Sequence, residues 1–161
     1  MIPAREKVVN RQELAELLRR PRGGKTVVFT NGCFDILHVG HVRALEAARA
    51  FGDILVVGVN SDASVQRLKG PKRPIVPERE RAEMVAALGM VSYVIIFDED
   101  LPNESVAVLE PDVHVKGGDY DVEAMPETPV VRAHGGRVEI VKFVDGFSTT
   151  DIIASVKARY A

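Results

Sequence analysis

Five short apolar runs, each followed by a stretch of helical character, leave this chain little choice of fold. TVVFT (26–30), DILVVGV (53–59), SYVIIF (92–97), DVHVK (112–116) and RVEIVKF (137–143) are rich in β-branched residues. Taken together they do not alternate polar with apolar positions as strands wetted on one face do, so they are predicted to be strands buried on both faces. The helical segments run over about 38–50, where Gly52 ends the turn, then 77–88, 102–109, 127–134 and 149–159. The second of these opens on Pro and acidic residues, as helix starts do. Ahead of the first strand, Asn10 is placed to cap a helix over 11–20, with Leu14, Leu17 and Leu18 on one face and Pro21, Gly23 and Gly24 as breakers. The Lys-, Arg- and Pro-rich segment 69–77 reads as a loop.

Alternating strands and helices predict an α/β fold. The expected form is a single doubly wound, Rossmann-like sheet of five parallel strands in the order 3-2-1-4-5, with helices on both faces and right-handed crossovers. The 161 residues suit one domain, 1–161, with residues 1–24 as a helix and linker packed on its core. Such sheets bind ligands beyond the carboxyl ends of their strands, where the strand order reverses. That point falls between the first and fourth strands, and the loops after them are NGCFDILHVGH (31–41) and KGGDY (116–120).

The first loop holds the densest chemistry. His38 and His41 stand three apart at a helix opening and so share a face. Gly40 removes a side chain where a ligand can come close, and the helix end offers unpaired N–H groups and partial positive charge. These parts make a compact phosphate site. Two other readings of the same residues are a capping histidine beside a surface histidine, and metal ligation by His38, His41 and Asp35; no further Cys or His cluster completes the latter.

The net charge of −2 gives nothing global to attract nucleic acid or an anionic membrane, so basic residues act locally. Cys33 is the single cysteine, which excludes an intrachain disulfide and fits a reducing, cytoplasmic setting. No apolar run nears the roughly 20 residues that span a bilayer, and the first residues lack the apolar core of a signal peptide.

VFTNGCFDILHVGH resembles the cytidylyltransferase-like nucleotidyltransferases, whose signature is H-x-G-H after a G-x-F-D turn. LVVGVNSD, RLKGPKRPI, ERAEMVAAL, VKGGDY and GFSTTDI follow in the order seen in bacterial D-glycero-β-D-manno-heptose 1-phosphate adenylyltransferases, over about residues 25–155. The resemblance implies transfer of AMP from ATP to the sugar 1-phosphate, yielding ADP-heptose and pyrophosphate. It implies that His38, His41 and Lys69 act in catalysis. Asn31, Gly32, Cys33, Phe34, Gly40, Arg81, Ser148, Thr149 and Thr150 are expected at the nucleotide and its phosphates. Asp35, Lys116, Gly117, Gly118, Asp119 and Tyr120 are expected toward the acceptor, with Asp35 orienting its own loop by accepting N–H bonds. Mg²⁺ is expected as a passenger on ATP with no direct protein ligand. A separate heptose kinase is expected upstream, and the apolar first helix and an exposed edge strand hint at a homodimer.

The same fold with CTP and glycerol 3-phosphate, or ATP and FMN, is the nearest competing expectation. Phe143 stands where the glycerol-phosphate branch has an arginine, which argues against that branch. A nucleotide sensor without turnover is disfavoured by the intact histidine pair, and a tRNA-charging enzyme by length and the lack of a basic surface. GGKT (23–26) mimics the end of a Walker loop but precedes a strand, and reads as a linker. Ser148 with Asp151 fits a helix-start capping box whether or not it meets phosphate. Cys33 reads as a packing residue, and His114 and His134 as ordinary strand or surface residues.

Overall fold

The structure, a computed structural model, describes residues 2–19, 21–142 and 146–160. Its centre is one sheet of five parallel strands in the order β3-β2-β1-β4-β5. They are β1 (Val27–Gly32), β2 (Ile54–Asn60), β3 (Tyr93–Phe97), β4 (Val113–Gly117) and β5 (Arg137–Val141). Around them lie α1 (Ala4–Lys7), α2 (Arg11–Leu17), α3 (Val39–Arg49), α4 (Asp62–Lys69), α5 (Glu78–Ala86), α6 (Asn103–Leu109), α7 (Thr128–Arg132) and α8 (Thr149–Tyr160).

Side chains of a strand point alternately to opposite faces, so each run of Val and Ile feeds two cores at once. Val28 joins Leu45 and Ala48 of α3 and Ala82, Val85 and Ala86 of α5 on one face. Its neighbours Val27 and Phe29 join Leu14 of α2, Val106 and Leu109 of α6 and Val131 of α7 on the other. This two-sided burial explains why the strands read as nearly continuous apolar runs.

The amino-terminal segment differs from its sequence-based picture. Leu14 and Leu18 are buried in the chain's own core, whereas Leu17 is 67% exposed. Only the i, i+4 stripe meets the sheet. The outer edge of β3 is met by the segment between α1 and α2: Val8 bridges Val94, and the Val9 N–H donates to the Val94 carbonyl at 2.9 Å. Part of the apolar surface that hinted at a dimer is thus used within the chain. Lys69 also departs from the loop reading. It is the last residue of α4, a helix begun by Ser61, whose side chain accepts the Ser64 N–H. Gly70 ends that helix at φ 94°, a conformation L side chains rarely adopt. The fifth strand closes at Val141, and Phe143 lies outside the described residues. Among the described residues no helix is long and apolar enough to cross a membrane.

Candidate active site

The loop from β1 to α3 is the most constrained backbone in the molecule. Phe34 and Ile36 sit at φ 49° and 58°, which a bulky and a β-branched residue rarely adopt. Such strain costs about 1–3 kcal/mol per residue and clusters where geometry serves function. At Phe34 the turn sends the ring back toward Gly32, where an added Cβ would lie 3.1 Å from it. The same ring lies 5.2 Å from that of His41. Gly32 thus leaves room for this fold-back.

The two imidazoles stack, centroids 3.8 Å apart and 24° from parallel. The His38 backbone N–H donates to His41 Nδ1 at 3.3 Å. Neutral His41 must then carry its proton on Nε2, leaving that nitrogen as the donor. Burial, with His38 beside it, pushes His41 down to about 4. Burial also lowers His38. Both rings are accordingly uncharged near neutral pH until an anion arrives. Gly40 has a reason the sequence did not reveal: a Cβ there would lie 2.9 Å from the His38 ring and 3.1 Å from Phe147. Its missing side chain makes room for the histidine itself. Two buried polar atoms in this corner, Asn31 Oδ1 and His38 Nδ1, have no hydrogen-bond partner among the described residues. Unsatisfied groups of this kind are rare and mark places that a ligand or water completes.

Asp35 accepts N–H bonds as expected, but the donors lie on the segment after α4 and not on its own loop. It is 1% exposed, and its carboxylate accepts Arg73 Nε at 2.5 Å and the Ile75 and Val76 N–H groups at 2.9–3.0 Å. It therefore pins the segment after α4 against the histidine loop. Burial alone would raise its carboxyl, but the Val76 and Ile75 N–H groups and Arg73 outweigh that and hold it below its ordinary range. The Asp35 carbonyl accepts the Thr149 hydroxyl at 2.6 Å, so the start of α8 joins the same hub.

Arg81 is fully buried and engaged within the chain. Its guanidinium donates to the Val76 carbonyl (2.8 Å), the Cys33 carbonyl (2.5 Å) and Asp62 Oδ1 (2.8 Å). The geometry makes it a clamp on the histidine loop. Burial pushes the Cys33 thiol up, while Lys69, Arg81 and Arg73 pull it back, so three cations converge on this loop. Lys69 is solvent-exposed at the end of α4, and Lys72 is exposed beyond it.

Across the switch point, Lys116 stands next to last in β4 with Nζ 3.0 Å from Glu127 Oε1 and 5.9 Å from the Tyr120 ring centroid. Sequence reasoning missed Glu127; an acidic residue at a helix start carries no distinguishing signal. After Lys116, Gly117 closes the strand and Gly118, at φ 135°, turns the chain, leaving Asp119 and Tyr120 exposed. His114 is fully buried, stacked against Phe29. At α8, the Asp151 N–H donates to Ser148 Oγ at 3.0 Å, and that hydroxyl donates to Asp151 Oδ2 at 2.7 Å. The forward half of the capping box is present, and Thr150 is exposed beside it.

The family model described as cytidylyltransferase-like matches residues 29–155, from the first strand through the last helix. The chain belongs to the cytidylyltransferase-like family. Within it, the chain is 54% identical to the bifunctional protein HldE of Syntrophotalea carbinolica over 155 residues, 96% of this chain and 32% of that protein. It matches HldE of Geobacter sulfurreducens at 54% identity, again over 96% of this chain and 32% of the relative. The chain thus spans about a third of the length of these curated relatives. Among solved structures, the lipopolysaccharide core biosynthesis protein of Thermoplasma volcanium superposes with a TM-score of 0.60 at 32% identity, covering 75% of this chain and 98% of that one. The pantoate-β-alanine ligase of Francisella tularensis, solved with an ATP analogue and β-alanine, shares the fold at 10% identity and TM-score 0.57, covering 93% and 76% of the two chains. A cytidylyltransferase-like chain with this site is a nucleotidyltransferase.

Proposed function

We propose that this nucleotidyltransferase moves AMP from ATP to D-glycero-β-D-manno-heptose 1-phosphate, forming ADP-heptose and pyrophosphate. One observation carries the reading: two stacked, uncharged imidazoles at the opening of α3, beside a strained loop with unsatisfied polar atoms. The heptose motifs VKGGDY and GFSTTDI flank that corner. The match to bifunctional HldE proteins and to a lipopolysaccharide core biosynthesis protein supports the same substrate class.

In this reaction a phosphate oxygen of the sugar attacks the α-phosphorus of ATP. The bond from that phosphorus to the bridging oxygen breaks, and the electron pair leaves with pyrophosphate. The nucleophile is already an anion, so the chain's task is positioning and charge stabilisation. His41 Nε2–H and the His38 ring donate to the transferring phosphate and the bridging oxygen. Lys69 swings from the end of α4 over the outer phosphates, Lys116 meets the acceptor phosphate, and Arg81 acts indirectly by holding the loop. Mg²⁺ carried by the triphosphate would neutralise part of its charge without a direct protein ligand. Asp35, the carboxylate beside the histidines in sequence, has both oxygens taken by Arg73, Ile75 and Val76 and is not free to ligate it.

Pyrophosphate release measured across nucleotide and acceptor pairs tests the assignment. ATP with the heptose 1-phosphate should exceed CTP with glycerol 3-phosphate, and ATP with FMN, by about 10² or more in kcat/KM. Preference for another pair would overturn it. Gly40→Ala probes the corner itself: its methyl displaces the His38 ring. The expected result is a loss of about 10² in kcat/KM, the cost of misplacing a catalytic group by about 1 Å. Its thermal midpoint should fall only slightly, because the His38 ring can swing aside and Phe147 need give by only a few tenths of an ångström.

A further inference from the structure

Glu127, the ion-pair partner of Lys116 on β4, has no part in the chemistry above. Glu127 is 2% exposed and bonded to Lys116, whose side chain is 22% exposed. Glu127 occupies the N-cap of α7, yet its carboxylate makes no capping bond, so helix stability does not account for it. General stability does not either. Desolvating a carboxylate takes back most of what its attraction to an ammonium returns, and a well-packed apolar pair holds a fold as well. Lys116 is its one ion-pair partner among the described residues. His114 shares that face of β4 with Lys116, two residues along, and supplies no cation: burial first, then the Lys116 ammonium, push it down to about 4.

The ammonium is thus held between a fixed carboxylate and the Tyr120 ring. A lysine has three donors, and the contact with Glu127 leaves others for a ligand. Its position is the carboxyl edge of β4, beside β1 and its histidine loop.

We infer that Glu127 is a positioning residue, fixing the Lys116 ammonium so that its remaining donors meet a substrate phosphate. The inference rests on the transferase reading of this site. A lysine stem left loose must be ordered each time a substrate binds, whereas one already tethered loses less freedom on binding.

Steady-state kinetics of the full chain test this with Lys116→Met, Glu127→Gln and the double variant, using whichever substrate pair the parent chain turns over. That choice of pair reports on the transferase reading separately. Lys116→Met should raise the KM of one substrate about tenfold and spare the other; the KM that moves identifies whether the phosphate belongs to ATP or to the acceptor. Glu127→Gln should raise the same KM. In the Lys116→Met background it should cost less than about twofold more, since a residue acting through another has nothing left to position. The double variant carries no unpaired buried charge, so it keeps the cycle readable where Glu127→Gln melts early. Independent, additive losses would make Glu127 structural and overturn the inference. So would normal kinetics in Glu127→Gln despite a defect in Lys116→Met, or no change in Lys116→Met.

Discussion

His41→Ala is expected to bind ATP almost normally yet lose about 10²–10³ in kcat, the usual cost of removing one preorganised donor from a transition state. In the proposed mechanism the α3 amino terminus and nearby lysines also hold the ground-state triphosphate, so binding should survive. The charge that develops on the bridging oxygen is met by the imidazole, so turnover does not. Loss confined to KM, or a rate within tenfold of the parent, would remove His41 from the chemistry.

The same residue gives that prediction a pH signature. Its native value, about 4, lies below the ordinary 6.5. Between those values the unfolded chain holds a proton that the native chain does not, so stability falls as pH drops from 6.5 toward 4 and is fully present above 6.5. A bound polyanion favours the imidazolium and pulls the value back up. ATP binding at pH 6 should therefore take up protons, measured by calorimetry in buffers of different ionisation enthalpy. His41→Ala should lose most of that uptake. Equal uptake in the variant would assign the proton to another group.

The sheet was legible because parallel strands buried on both faces have to be written in β-branched apolar residues, and the reversal of strand order then named the two loops that matter. H-x-G-H was legible because a helix opening makes residues three apart neighbours. Helix α4 was not: it is short and polar, buries Ser64 and Val65, and announces itself only through the Ser61 cap. The roles of Arg81 and Asp35 were hidden for a different reason. Arg81 meets the Cys33 carbonyl from 48 residues away and Asp35 meets Arg73 from 38 away, so no local pattern records either bond. Glu127 was invisible in the same way, because its burial is decided by what β4 places opposite it. Sequence found the histidine pair and missed the long-range bonds that hold its loop still.

Among those supports Asp35 should matter most to folding. Asp35→Ala would strand Arg73, 16% exposed at its side chain, together with the Ile75 and Val76 N–H groups that now face a fully buried carboxylate. Removing one partner of a buried pair costs about 3–5 kcal/mol. In a chain of this size that lowers the thermal midpoint by roughly 10 °C or more. Asp35→Asn should fare only modestly better, since its amide keeps one acceptor oxygen but turns an NH₂ toward donors. Acid should act on the parent as the substitution does. The folded carboxyl lies below 3.8, so its stabilisation is complete above that value and fades as pH falls through the folded value. Because the Asp35 carboxylate ties the histidine loop to the segment after α4, the variant should also lose protection from amide exchange in both segments at once. Loss confined to the segment after α4 would reduce Asp35 to a local latch and leave the histidine loop rigid by its own backbone.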